Sequence, residues 1–417
     1  MRQTATNCRI AIFSTVVLAF LLLQGCATPQ RREAVPVGLQ NKAEIPGLSG
    51  VRYNPTNPLD IAEMTREGME SVKREQDYLA ATGHQGPMPP ANFLAISGGG
   101  DDGAFGAGLL NGWTAAGDRP QFKLVTGIST GALIAPFAFL GPEYDATLKE
   151  VYTSSSPKDI LEKRGMLAAV FDDAMADNKP LWNVVEKKVD RAMLEAIAAE
   201  YKKGRLLLVG TTDLDARRPV IWNLTKIAAS GYPKALELFH TLMLASAAIP
   251  GAFPPVMIDV EADGKPYQEM HVDGGAVAQV FAYPPSIRLK ELSRENHIQR
   301  ERRLYLIRNA RLDAQWAQVE RNTMSIAARA ISSLIQFQGV GDLYRIYATT
   351  QRDGVDYNLA YIPPSFNAPH KEDFDTEYMR QLFDTGYRMA AKGYPWQKTP
   401  PAFIPSASEK RSTDETP

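Results

Sequence analysis

The chain has only two cysteines in 417 residues, Cys8 and Cys26. Both lie near its start, so no disulfide framework is available to the rest. Stability must come from a buried core, and a chain of this length with 44% hydrophobic residues has the material for one. Histidine is scarce too: the five (His84, His240, His271, His297 and His370) show no metal-ligand spacing with each other or with cysteine. Neither a metal nor an organic cofactor is therefore expected. Excess positive charge is absent, with 46 Lys and Arg against 47 Asp and Glu. A net charge of −1 leaves no basic footprint for nucleic acid. No uncharged apolar run reaches the roughly 20 residues that span a bilayer, and no period of 20 to 50 residues marks a repeat array.

The start of the chain reads as a leader. Arg2 and Arg9 give it positive charge, and Ile10 to Leu23 is an uncharged, mostly apolar run. That run fits the central region of a secretory signal, here residues 1–25. It ends in Leu23-Gln24-Gly25-Cys26, which resembles the bacterial lipobox, although Gln24 occupies a slot usually small or apolar. The resemblance implies an acylated Cys26, bearing palmitate-type chains, as the mature N-terminus. Ala27 after it, rather than Asp, implies the outer membrane, facing the periplasm. An ordinary secretory leader with an incidental cysteine is the alternative.

Residues 26–90 are expected to hold the lipidated N-terminus, a Pro- and Gly-rich tether and one helix. Asn57-Pro58 supplies an N-cap and a first-turn proline for that helix, which is placed from Leu59 to about Ala81. Its candidate buried positions are Ile61, Met64, Val72 and Leu79. Beyond it, short apolar runs end in glycine or polar turns: 93–96, 122–126, 206–209, 219–222, 270–272 and 304–307. They alternate with helical stretches at 130–139, 181–201, 236–248, 319–337 and 376–391. This alternation predicts an α/β domain over 91–395, with a central, mostly parallel sheet between helical layers. Residues 396–417, rich in Pro, Ser, Thr and charge, are expected to be disordered.

Three motifs carry chemistry. Gly127-Ile128-Ser129-Thr130-Gly131 follows a strand-like run and precedes a helix-like one, the setting of a nucleophile elbow. The helix start would favour negative charge beside Ser129. Ser97-Gly98-Gly99-Gly100-Asp101-Asp102-Gly103 exposes backbone amides past a strand. It lacks the Lys-Ser/Thr pair of a Walker loop, and its acids disfavour phosphate, so an oxyanion hole is the better assignment. Asp273-Gly274-Gly275 places a carboxylate at a strand end, where desolvation would raise its pKa toward that of a useful base.

In this order the motifs resemble the patatin-like phospholipase family. Supporting stretches are SGGGDDGAFGAGLLNGW, VTGISTGALIAPFAF, GTTDLDARRPVIWNL, ASAAIPGAFPP and HVDGGAVAQ, and the resemblance spans about 91–392. It implies a three-layer α/β/α fold and hydrolysis of lipid acyl esters through an acyl-enzyme. It also implies Ser129 as nucleophile, Asp273 as its base and the amides of Gly98, Gly99 and Gly100 as oxyanion hole. The implied partners are a lipid or acyl-ester substrate and the membrane that the N-terminal anchor reaches. Asp102 departs from the family, which often has a basic residue there; it or Asp101 is expected to cap the helix starting near Gly103.

Two rivals remain. A Ser-His-Asp α/β-hydrolase needs a histidine after the acid, and only His297 and His370 follow Asp273. A catalytically silent envelope lipoprotein would keep the fold as a scaffold. Asp213 is expected to make a turn, 249–255 to form a rigid loop beside the pocket, His271 to pack, and Leu334, Ile335, Phe337 and Val340 to join the core, with an acyl site or a membrane-facing lid as the alternative for these four.

Overall fold

The apolar strand runs do what their period dictates: neighbouring residues serve opposite faces of one sheet. In a computed structural model, which describes residues 31–163 and 173–404, Leu94 and Ile96 join one core while Phe93 and Ala95 join the other. Leu207 and Val209 separate from Leu208 in the same way. The leader, Cys26 and residues 405–417 lie outside the described residues.

Nine strands make the sheet: β1 (Arg52–Tyr53), β2 (Ala91–Ile96), β3 (Leu124–Ile128), β4 (Leu206–Asp213), β5 (Arg218–Asn223), β6 (Val256–Ala262), β7 (Lys265–Asp273), β8 (Arg302–Arg308) and β9 (Asp356–Tyr361). Their order is β1-β5-β4-β3-β2-β8-β9, and the β6–β7 hairpin joins through β7 and β4. From β4 to β9 the path is parallel; β1, β5 and the hairpin pair antiparallel.

The principal helices are α1 (Pro58–Ala81), α2 (Gly103–Ala116), α3 (Thr130–Leu140), α4 (Asp145–Ser154), α5 (Lys179–Lys188), α6 (Arg191–Lys202), α7 (Leu224–Ala229), α8 (Ala235–Ser246), α9 (Leu289–Glu295), α10 (Thr323–Asp353) and α11 (Thr376–Ala391). Met64 of α1 and Leu343 and Ile346 of α10 pack on one face; residues of α2, α3, α8 and α11 pack on the other. This is the expected mostly parallel sheet between helical layers.

Several boundaries moved for identifiable reasons. The 181–201 stretch is two helices, because Asp190 caps a new start by accepting from the Met193 amide. Asn57 caps α1 as its sequence suggests, accepting from the Leu59 amide. The buried stripe of α1, however, is Met64, Glu67, Ser71 and Glu75, because the surface it meets carries cations. Glu75 pairs there with Lys123 at 2.8 Å and Arg300 at 2.8 Å.

The tether expected from Pro and Gly content packs against the body rather than lying extended or loose. Within residues 31–57, Val35, Ala43, Ile45, Val51 and Tyr53 are buried, and β1 pairs with β5. Gly38, Gly47 and Gly50 all have positive φ. Glycine here turns the chain back onto the body rather than loosening it.

Candidate active site

The site forms where β3 stops. Ile128 is opposite Gly210 of β4, and Thr211, the next residue of β4, is opposite Asp273 of β7. Two strands thus share one edge of β4, β3 entering from one side and β7 from the other. Ser129 and Asp273, 144 positions apart in sequence, are the residues at which the two ends meet.

At Ser129 the backbone takes φ 56° and ψ −127°, a region L-residues rarely adopt. The flanking glycines are sterically required. A Cβ on Gly127 would lie 2.4 Å from the Gly131 carbonyl oxygen, and one on Gly131 would lie 2.2 Å from that of Ile96. Gly131→Ala should therefore cost about 3 kcal/mol or more, since only backbone is available to yield. A denaturant midpoint unchanged from the parent chain would refute that close packing. The Ser129 amide donates to Ser246 Oγ at 3.0 Å, and Ser246 Oγ donates to the Gly210 carbonyl at 2.7 Å. Ser246, at the end of α8, is a tie that the sequence did not disclose.

Asp273 is buried. Burial pushes its carboxyl up to about 6, against hydrogen bonds with Ser129 and the Gly275 amide that favour the ionised form. The Gly275 amide donates to Oδ1 at 2.6 Å. Gly274 must lack a side chain, because a Cβ would meet the Gly210 carbonyl oxygen at 2.5 Å.

The glycine loop lies over the same spot, and a Cβ on Gly98 would be 3.1 Å from Ser129 Cβ. One expectation changes. The Gly98 amide donates to the Gln279 carbonyl at 3.0 Å and so is occupied, leaving Gly99 and Gly100 as the candidate oxyanion donors. The loop is stitched to the end of β8. Arg308 donates to Ser97 Oγ and the Gly98 carbonyl, both at 3.2 Å, and the Asn309 amide donates to Ser97 Oγ at 2.8 Å. Burial lowers the Arg308 guanidinium to about 10, opposed by the charges of Asp342 and Asp102. Sequence reasoning missed Arg308 and Asn309, although a polar pair straight after an apolar strand was a usable signal.

The two loop acids do not cap α2, as had been expected. Asp102 accepts from Tyr378 Oη at 2.6 Å and makes no capping bond. Asp101 bonds His370 Nε2 at 2.7 Å and accepts from the Phe374 amide at 2.9 Å. They hold segment 370–378 against the site instead.

From Ser129 a cleft runs between apolar walls that include Leu133, Phe137, Val185, Met243, Ile249 and Phe374. Its apolar lining suits an acyl chain. The 249–255 loop thus borders it as expected, through Ile249 and Phe253. Asp213 makes its turn, accepting from the Ala216 amide at 3.2 Å. Both nitrogens of His271 are taken, Nδ1 by Thr211 Oγ1 at 2.9 Å and Nε2 by Glu269 at 3.0 Å.

Residues 94–284 match the family model of patatin-like phospholipases. The matched stretch is a little under half of the chain. It contains the glycine loop, Ser129 and Asp273, while the Arg308–Asn309 brace comes from beyond it. No curated protein matches the chain. Among solved structures, VipD from Legionella pneumophila is similar at 12% identity and TM-score 0.36, over 73% of this chain and 66% of that one. The type III effector ExoU is similar at 14% identity and TM-score 0.24, over 73% of this chain and 53% of that one. The chain thus spans less than two thirds of the length of either.

Proposed function

We propose that the protein is a lipid acyl hydrolase in which Ser129 and Asp273 act as a dyad. The observation that carries this reading is the junction on β4, where a buried, base-poised carboxyl faces a strained serine beside an apolar cleft. Asp273 accepts the Ser129 proton as Oγ attacks the ester carbonyl, and the Gly99 and Gly100 amides hold the oxyanion. The C–O bond to the alcohol breaks, Asp273 returns the proton to the leaving oxygen, and an acyl-serine remains. Water then adds to the acyl carbon and gives a proton to Asp273; the bond from that carbon to Ser129 Oγ breaks, Asp273 returns the proton to Oγ, and the acid leaves. Cys26 acylation would hold this chemistry at the cell-envelope membrane. With Asp102 in the loop, substrates with uncharged headgroups fit better than anionic ones.

The decisive experiment pairs fluorophosphonate labelling with a panel of phospholipid, lysolipid and neutral-ester substrates. Labelling and hydrolysis that both vanish in Ser129→Ala support the reading; a silent scaffold gives neither in the parent chain.

The pH profile follows from Asp273. Its ionised form is the working base, so kcat/KM should rise about tenfold per pH unit below pH about 6 and level off above it. A raised carboxyl pKa also means that ionising Asp273 costs the folded state. That cost is absent below the ordinary value of 3.8 and complete above about 6. A flat profile between pH 4.5 and 7 would exclude Asp273 as the base.

A further inference from the structure

The first half of α10 is oriented the wrong way round for a water-soluble helix. At 100° per residue, Met324, Ile326, Ile331, Leu334, Ile335 and Phe337, with intervening alanines, cover an arc of about 200°. Ser325, Arg329 and Gln336 cluster on the opposite side. A helix lying on a globular body normally turns its apolar stripe inward. Here the polar side is the inward one. Arg329 donates to the Gln315 carbonyl, and Gln336 Nε2 donates to the Arg311 carbonyl at 2.9 Å. Ser325, Arg329 and Gln336 are half-buried, whereas Met324 is 72% exposed, Leu334 70% and Phe337 75%. Trp316, just ahead of the helix, is 87% exposed. The expectation that Leu334, Ile335 and Phe337 pack in the core is thereby overturned.

This surface adjoins the candidate site. Arg311 also donates to the carbonyls of Phe366, at 2.7 Å, and Pro364, at 3.1 Å. That segment continues to Phe374, which lines the cleft. Farther along α10, Asp342 accepts from the Gln279 amide at 2.6 Å, and Gln279 in turn holds Gly98.

We infer that the apolar arc of residues 324–337 seats on a lipid bilayer, lying in the interface plane and presenting the cleft to acyl chains. The choice of a bilayer rests on the lipid-ester reading above and on the form of the surface. It is convex, apolar over more than half its circumference, and free of charge on its outward side. An arc of that kind is what a helix half-sunk at the headgroup boundary buries. Among the described residues no helix is long and apolar enough to cross a membrane, so the arc lies on the bilayer rather than through it. Because the exposed arc carries no charged side chain, the attachment is apolar and only weakly sensitive to salt.

The test uses the full chain carrying Cys8→Ala and Cys26→Ala, so that no acyl anchor contributes. An environment-sensitive fluorophore is placed at Leu334→Cys, Phe337→Cys or, as a control, Lys265→Cys. Vesicles of dioleoylphosphatidylcholine should shift the first two labels to the blue, and brominated acyl chains should quench them, with the control unmoved. Ile331→Gln combined with Leu334→Gln and Phe337→Gln should lower hydrolysis of vesicle lipid about tenfold or more while leaving a short soluble ester untouched. Labels at 334 and 337 that stay wet on vesicles overturn the inference. So does shielding that appears without vesicles as protein concentration rises, which would assign the arc to a second copy. Soluble-ester turnover with dry-state insertion absent sinks only the bilayer seat; insertion without any ester turnover sinks only the hydrolase reading.

Discussion

Ser129→Ala and Asp273→Asn should each lower kcat by about 10⁴-fold or more, and the double variant should be no worse than the weaker single one. Hydroxyl and carboxyl meet at the junction of β3 and β7 on β4, and among the described residues neither has a second partner able to take over the proton. Without the carboxylate, the serine hydroxyl has no acceptor; without the serine, the carboxylate has nothing to activate. Groups that act in one step are lost once, so their effects do not multiply. His370→Gln provides the contrast. His370 is bonded to Asp101 rather than to Ser129, so its removal should leave most of the turnover. A loss as large as that of Ser129→Ala would restore the histidine triad. Thermal unfolding of each variant separates lost chemistry from lost structure, since Asn in place of Asp273 keeps the shape and the Gly275 contact.

Much of this site was legible because its constraints are steric and local. Gly127, Gly131 and Gly274 are glycine since backbone passes within 2.2 to 2.5 Å of where a Cβ would stand, and such constraints mark the sequence directly. What stayed hidden depends on pairing between distant segments. Nothing near Asp273 announces that β7 abuts β3. The polar pair after the β8 run hints at a role for Arg308, but not that its target is a loop 210 positions earlier. The β6–β7 hairpin was a missed opportunity: Asp263 and Gly264 both have positive φ, the two-residue turn that an Asp-Gly pair between alternating runs suggests. The outward arc of α10 could not be read from period alone. Periodicity finds an apolar stripe but does not say which way it faces; hydrogen bonds from Arg329 and Gln336 settle that.

Glu269→Ala should destabilise the fold by about 3–5 kcal/mol, more than any surface ion-pair deletion. Glu269 lies on β7, four residues before Asp273, and is 1% exposed. It pairs with Arg52 at 2.8 Å, with Arg218 at 3.6 Å and with His271 at 3.0 Å. Arg52, itself buried, also lies over the Trp222 ring at 5.0 Å. Arg218 would keep Asp213 at 3.2 Å, but Arg52 would keep, among the described residues, only the longer-range attraction of Glu44. A poorly compensated buried guanidinium is the costly outcome, because the hydration it gave up on folding is no longer fully offset. Burial by itself would push the Glu269 carboxyl up, but Arg52 and His271 together hold it down at about 2. Its contribution is therefore complete above the ordinary carboxylate value of 4.5 and fades as pH falls toward 2. The parent chain should lose stability over that acid window, and Glu269→Ala should lose less, having already forfeited the pair. Denaturant midpoints at pH 7 and pH 3 measure both effects. The consequence reaches the site, because Arg52 anchors the N-terminal segment to the strand whose last residue is Asp273. If the variant kept parental stability at pH 7, the network would be decoration on a sheet held by apolar packing alone.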